Sequence, residues 1–476
     1  MNYIIFFPDE LRAESLSVYG HKSVKTPNFD RLAAEGVSFD QCHVQNTVCS
    51  PSRCSLVTGR YVHSNGHRTL WHLIRPYERN LFRYMKEAGY EVRIYGKNDL
   101  FARESIPLST DVFTRASGNA SGVANPERKQ GPVQALEECN DFLFHPMAGT
   151  YKEHNDYLDL KAGMDFIKSR KPGDKPFVLF LPLLFPHCPY TAPEPFYSMY
   201  DENDISPLRP VCDNKPQFHE LIRSSRNLEK SNLKKIQAVY MGMVSFTDTL
   251  LGELMDCVEE AGIKNETMLF ASSDHGDYAG DYGLVEKWPS GCEDALTRVP
   301  LVVSGPQCRQ GHRVSSLIEL FDIMATIMES AGIEAQHTHY AQSLLPALAG
   351  GSGDPLRAVF CEGGYNRNEY HCNEGADIDS RSFMRDPGTI YYPKGHQQNE
   401  YPESVGRASM IRTMTHKLVL RTYGDNELYD LASDPLELKN VYGEKKYAPF
   451  QAELERRMLD WYIATSDSVP FEEDAR

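Results

Sequence analysis

Apolar residues recur along this chain in two rhythms. Tyr3 to Phe7 is an unbroken β-branched and aromatic run that stops at Pro8-Asp9-Glu10, the pattern of a buried strand emptying into a loop. The same short, continuous pattern returns at Val92 to Tyr95, Phe177 to Leu184, Met268 to Ala271 and Val299 to Val303. Between these runs the spacing lengthens to helical periods at Leu81 to Ala88, Lys235 to Ala261 and Leu317 to Ala331. An earlier helix is marked by Thr26 as N-cap, Pro27 in the first turn, an apolar face of Phe29, Leu32 and Ala33, and Gly36 at its end. Strands alternating with helices predict an α/β fold with a mostly parallel sheet flanked by helices.

The texture changes near Gly350, where Gly350-Gly351-Ser352-Gly353-Asp354-Pro355 reads as a linker, followed by a polar, Tyr- and Asn-rich segment. Ser409 to Tyr429 predicts a short antiparallel set, and Tyr447 to Ala464 a closing amphipathic helix. The expected organisation is a catalytic α/β domain over residues 1–350 and a smaller α+β subdomain over 351–476. The Gly-, Asn- and Ser-rich run from Ser109 to Gln134 reads as a cover over the cleft or an insertion.

Composition narrows the partners. A formal charge of -16 excludes a nucleic-acid surface and restricts any anionic substrate to a local basic pocket. The apolar stretch Phe177 to Phe185 is broken by Pro182 and too short to span a bilayer, so no membrane association is predicted. Eleven cysteines without paired spacing, and an N-terminus lacking the features of a signal peptide, predict a cytoplasmic protein.

Ligands in open α/β sheets bind beyond the carboxyl ends of the strands. There the sequence places Asp9-Glu10, Lys97, His187 and Asp274-His275. Two acidic clusters at matching strand ends repel unless they share a cation, which points to a divalent metal.

Asn46 to Tyr61 reads NTVCSPSRCSLVTGRY, with Cys49-Ser50-Pro51-Ser52-Arg53 followed by Leu56 and Thr58-Gly59-Arg60. This resembles the signature of the type I, formylglycine-dependent sulfatases of the alkaline phosphatase superfamily. Similar likenesses are carried by Thr26-Pro27-Asn28-Phe29-Asp30, Gly96-Lys97, Pro186-His187-x-Pro189, Ser273-Asp274-His275-Gly276-Asp277 with Lys287, and Glu427-Leu428-Tyr429-Asp430. The resemblance implies an alkaline-phosphatase-like fold and a sulfuric ester hydrolase. It also implies that a separate maturation enzyme converts Cys49 to formylglycine. One hydroxyl of the hydrated aldehyde would attack sulfur, and the other would lose its proton so that sulfate leaves and the aldehyde returns. Asp9, Glu10, Cys49, Asp274 and His275 would hold the metal, with Ca²⁺ the first expectation and Mg²⁺ or Mn²⁺ left open. Arg53 would orient the hydrate. Lys97, His187 and Lys287 would bind sulfate oxygens, and His187 or Lys287 would protonate the departing alcohol.

The sequence departs from the family pattern in three places. Glu10 stands where a second Asp is usual, and His275 where many members have Asn. Asp99 occupies the place of a histidine that helps release sulfate, so the proton goes either to Asp99 or to one of His63, His67 and His72. For the substrate, His63 to His72 is expected to line the pocket mouth, with Arg68 pairing a carboxylate, Trp71 stacking on a sugar and His72 nearby, and Glu362 to Arg367 forming another wall. A sulfated mono- or oligosaccharide is the expected substrate. The alternatives are a phosphonate monoester or phosphodiester hydrolase of the same superfamily, or a non-catalytic binding protein that keeps Cys49 as a thiol.

Overall fold

The computed structural model describes residues 1–115, 140–372, 384, 387, 389–469 and 471. Its eight-stranded sheet is built from β1 (Asn2–Phe7), β2 (Gly36–His43), β3 (Glu91–Tyr95), β4 (Val112–Thr114), β5 (Phe177–Pro182), β6 (Thr267–Ser272), β7 (Arg298–Ser304) and β8 (His312–Glu319). They lie in the order β4-β3-β5-β1-β6-β7-β2-β8. Only β7 runs against its neighbours, β6 and β2, so the other strands all point the same way. The carboxyl ends of β1, β2, β3, β5 and β6 therefore open on one edge.

Alternation along the strands explains why they read as continuous apolar runs. Ile4, Phe6, Leu179, Leu181, Leu269 and Ala271 pack on one face, and Tyr3, Ile5, Phe7, Val178, Phe180, Met268 and Phe270 on the other. Helices cover both faces, including Pro27–Glu35, Asn155–Ser169 and the long Leu233–Glu260 on the first and Leu81–Glu87 and Asp322–Ser330 on the second. A second sheet, ordered β12-β11-β10-β9, is antiparallel and comprises β9 (Val359–Gly363), β10 (Ala408–Arg412), β11 (His416–Arg421) and β12 (Glu427–Asp430). The helix Ala448–Thr465 packs against it through Leu454, Met458 and Trp461. No helix among the described residues is long and apolar enough to cross a membrane.

Several expectations need correction. Leu317 to Glu319 belongs to β8, and the helix starts only at Asp322, because the pairing of β8 with β2 captures those residues. β2 itself was not anticipated. Thr26 stands at the N-cap position as expected, but its side chain does not cap the helix, since its hydroxyl accepts from Ser17 N–H at 2.9 Å. Asp248 does so instead, accepting from the N–H groups of Asn28 and Phe29 at 3.0 and 2.9 Å. Gly36 is required by closeness: a Cβ there would sit 2.1 Å from the Val303 carbonyl oxygen. Of the run from Ser109 to Gln134, Val112–Thr114 forms the edge strand β4, and residues 116–134 lie outside the described residues.

Candidate active site

Cys49 opens the helix Cys49–Thr58, and every residue of that helix is buried. The loop from β2 delivers it to the strand-end edge, where it meets groups from three other strands. Its Sγ lies 3.5 Å from Asp9 Oδ1, 3.3 Å from His275 Nε2 and 3.7 Å from Lys97 Nζ. Burial pushes the Cys49 thiol well above its ordinary range; Asp9 adds to this and Lys287 and Lys97 oppose it. The side chain therefore sits here as a neutral thiol, without the low pKa of a cysteine nucleophile.

One helical turn on, Arg53 is fully buried and bridges two carboxylates. Its Nη2 donates to Asp9 Oδ2 at 2.7 Å and its Nε to Asp274 Oδ2 at 2.8 Å. Lys97 also donates to Asp9 Oδ2, at 2.8 Å. Burial works to raise Asp9, and Lys97 and Arg53 more than reverse it, holding the carboxylate well below the usual range.

Each aspartate thus gives its Oδ2 to the protein's own cations and keeps an Oδ1 beside His275 Nε2, at 3.7 Å for Asp9 and 3.9 Å for Asp274. His275 Nδ1 lies 2.9 Å from the Gly276 carbonyl oxygen. That carbonyl can only accept, so Nδ1 carries the proton and Nε2 presents its lone pair to the cluster. One ligand atom each from Asp9, Cys49, Asp274 and His275 lies within 4.8 Å of the others. Two carboxylate oxygens, an imidazole lone pair and position 49 fit a divalent cation by chemistry as well as proximity.

Glu10 is separated from this set. Its backbone is left-handed, with φ 67°, and its longer side chain turns toward a second group. Lys287 Nζ donates to Glu10 Oε1, His187 Nε2 lies 3.4 Å from the same oxygen, and Cys188 N–H reaches Oε2 at 3.3 Å. Lys287 Nζ and His187 Nε2 are 2.9 Å apart. Burial opposes a charge on Lys287, and the neighbouring Glu10 and Glu286 outweigh it and push the ammonium up from its ordinary range. The edge therefore carries a carboxylate–imidazole cluster with a basic wall of Arg53, Lys97 and Lys287.

The expected mouth residues divide. Ser50 Oγ donates to the Leu70 carbonyl at 3.4 Å, which sets the loop beside position 49. Trp71 is 42% exposed and His72 half-buried. Arg68 is not free to take a carboxylate, because its Nη2 lies 3.3 Å from Glu362 Oε2 and its Nη1 3.4 Å from the Gly364 carbonyl. The two expected walls thereby contact each other.

The histidine alternatives also separate. His63 is pinned between Glu362 Oε1 at 2.7 Å and Thr465 Oγ1 at 2.8 Å, and His67 between Glu78 Oε1 at 3.0 Å and the His72 carbonyl at 2.8 Å. Asp99 stands at the site edge, its Oδ2 2.8 Å from Lys97 Nζ. Glu286 and Tyr190, which the sequence pattern did not single out, buttress the second group. The only cue to Glu286 is its place beside Lys287, and the cue to Tyr190 is its place just after the Pro-His loop.

A largely parallel sheet whose strand ends gather buried acids, histidine and cations defines a hydrolase-like α/β enzyme. Residues 1–333 match the Sulfatase family model, and residues 381–463 match the model of the N-sulphoglucosamine sulphohydrolase C-terminal region. The chain belongs to the sulfatase family. An arylsulfatase of Clostridium perfringens is 24% identical over 94% of this chain and 91% of its own length. An N-acetylglucosamine-6-O-sulfatase of Bacteroides thetaiotaomicron is 24% identical over 99% and 88%. Among solved structures, the phosphonate monoester hydrolase of Agrobacterium radiobacter superposes with a TM-score of 0.77 at 23% identity, covering 98% of this chain and 96% of that one. A structure in complex with its substrate D-glucosamine-2-N,6-O-disulfate has a TM-score of 0.74 at 20% identity, with 99% of each chain covered. The protein is a sulfatase, and its reaction class is the hydrolysis of sulfate esters.

Proposed function

We propose that this sulfatase cleaves sulfate monoesters of a mono- or oligosaccharide and that Cys49, converted to formylglycine by a maturation enzyme, is its nucleophile. The observation that carries this reading is the burial of position 49 among Asp9, His275 and Lys97, at 3.3 to 3.7 Å, inside the Cys-x-Pro-Ser-Arg motif. Hydrated, the aldehyde would supply one hydroxyl oxygen to bond sulfur as the alcohol departs, and a second hydroxyl whose deprotonation expels sulfate and restores the aldehyde. Asp9, Asp274, His275 and position 49 would hold a divalent cation, Ca²⁺ in the first instance with Mg²⁺ or Mn²⁺ as alternatives, and it would supply positive charge where the ester oxygens gain negative charge.

The chain's own residues do the rest. Arg53 fixes both aspartates and faces position 49. Lys97 and Lys287 bind sulfate oxygens. The His187–Lys287 pair gives a proton to the oxygen of the leaving alcohol. Asp99, held by Lys97 at 2.8 Å, takes the proton whose loss releases sulfate; His63 and His67 are committed to Glu362 and Glu78, which leaves His72 as the alternative acceptor. Trp71 offers a face for the sugar. The free thiols fit a reducing compartment such as the cytoplasm.

The test is turnover of 4-nitrophenyl sulfate and sulfated N-acetylglucosamine by protein co-expressed with a maturation enzyme, set beside an aryl phosphodiester. Peptide mass spectrometry of position 49 accompanies it. Sulfate release with a mass loss at Cys49 supports the reading. Faster phosphodiester turnover would make the protein a phosphodiesterase of the sulfatase family, and an unaltered thiol in material from the native host would remove the nucleophile.

A further inference from the structure

His187 sits on the loop after β5, and that loop is tied down on both sides of the histidine. Upstream, Asp156 lies in the first turn of the helix Asn155–Ser169 and is 1% exposed. Its Oδ1 accepts from Leu184 N–H at 2.9 Å and its Oδ2 from Phe185 N–H at 2.7 Å. One carboxylate therefore fixes two successive peptide groups just ahead of Pro186-His187. Ionised acceptors of this kind are the stronger class of hydrogen bond.

Downstream, the Tyr190 hydroxyl is fully buried and used in both directions. It donates to Asp277 Oδ1 at 2.7 Å and accepts from Glu286 N–H at 2.8 Å. Asp277 lies two residues beyond His275, and Glu286 directly precedes Lys287. Glu286 has a φ of 63°, a left-handed backbone that non-glycine residues adopt rarely. The Tyr278 N–H holds the Glu286 carbonyl at 3.0 Å, and Lys394 and Arg226 hold its carboxylate at 2.9 and 3.1 Å. A single phenol thus joins the loops that carry His187, His275 and Lys287.

We propose that Tyr190, assisted by Asp156, is a positioning residue for leaving-group protonation: it sets the 2.9 Å contact of His187 with Lys287 and aims that pair at the oxygen of the departing alcohol. This rests on the mechanism proposed above, in which the sulfur–oxygen bond to the alcohol breaks as that oxygen takes a proton from the pair. The need for the proton depends on the alcohol. A nitrophenolate leaves unaided, a phenolate less readily, and an alkoxide not without protonation.

The experiment compares 4-nitrophenyl, phenyl and alkyl sulfates on the matured wild-type protein and on Tyr190→Phe, which keeps the ring and removes only the hydroxyl. The expected result is a steeper dependence on the leaving group. Turnover of the nitrophenyl ester falls by about threefold or less and of the alkyl ester by roughly 10²-fold, the order lost when a general acid is misplaced. Asp156→Asn, which keeps the shape and replaces one of two acceptors with an NH2 donor, shows the same steepening to a smaller degree. Melting temperatures establish that each variant is folded. Equal losses on all three esters in both variants would make these residues structural supports only and overturn the proposal. If the matured wild type hydrolyses none of the three, the proposed function falls instead, which is a different outcome.

Discussion

Arg53 Nε donates to Asp274 Oδ2 at 2.8 Å with neither side chain exposed to solvent. The same guanidinium holds Asp9, so one cation compensates two buried carboxylates from different strands. Removing one partner of a buried ion pair leaves an uncompensated charge, which costs about 3–5 kcal/mol. Arg53→Ala is expected to lose about that much stability by denaturant unfolding in chelator. A saturating divalent cation should return part of the loss, since it would supply the missing charge. A variant as stable as the parent in chelator would mean that the carboxylates are not ionised there.

Metal removal tests the donor set directly. A ligand bound only to the folded state at a hundred times its dissociation constant stabilises by about 2.7 kcal/mol. Calcium titrated into chelated protein should raise the melting temperature, and Asp274→Asn should lose most of that rise. Glu10→Gln is predicted to keep it, because Glu10 faces Lys287 and His187 and not the cluster. If Glu10→Gln abolishes the thermal shift while Asp274→Asn leaves it intact, the assignment of ligands is wrong.

The loop of residues 63–72 carries its own pH dependence. Burial works against charge on His67, yet Cys54 and Glu78 outweigh it and push the imidazole up to about 10. Both ring nitrogens face acceptors, Glu78 Oε1 and the His72 carbonyl, as an imidazolium requires. The folded value lies above the unfolded one, near 6.5. The stability it confers is complete below about pH 6.5 and is lost as pH rises toward about 10. The slope is limited to about 1.4 kcal/mol per pH unit. His67→Gln should flatten the alkaline part of the stability profile measured by denaturant unfolding. An unchanged slope would place the titration elsewhere.

The strand runs, the helix of residues 27–35 and the signature around Cys49 were legible because each is local: a period, a turn residue or a motif spaced within one element. β2 was not, since Gly36 to His43 mixes Ser, Asp, Gln and His with apolar residues and gains its strand character from pairing with β7 and β8. For the same reason Leu317 to Glu319 read as helix, the neighbouring strand deciding what the local pattern left ambiguous. At the site, residue types and strand ends could be read in advance, but side-chain direction could not. Asp9 and Glu10 are adjacent acids in the sequence, and a left-handed backbone at Glu10 sends them to different groups. Arg68 looked available because its counter-ion, Glu362, lies 294 residues away in the chain.

Trp71 offers the clearest separation of substrate recognition from chemistry. The residue is 42% exposed, on a loop whose Leu70 carbonyl accepts from Ser50, the residue beside position 49. A sugar stacked on that face would gain about 0.5–1.5 kcal/mol, the range measured for aromatic contacts, which corresponds to roughly a two- to tenfold change in affinity. Trp71→Ala should therefore raise KM for a sulfated saccharide by about that factor. Its kcat should stay near the parent value, since the interaction is made equally before and during bond cleavage. An alkyl sulfate too small to reach the ring should be unaffected. Steady-state kinetics on the two substrates checks this: equal losses on both would mean that the residue supports the loop, and a fall in kcat alone would place it in the chemical step.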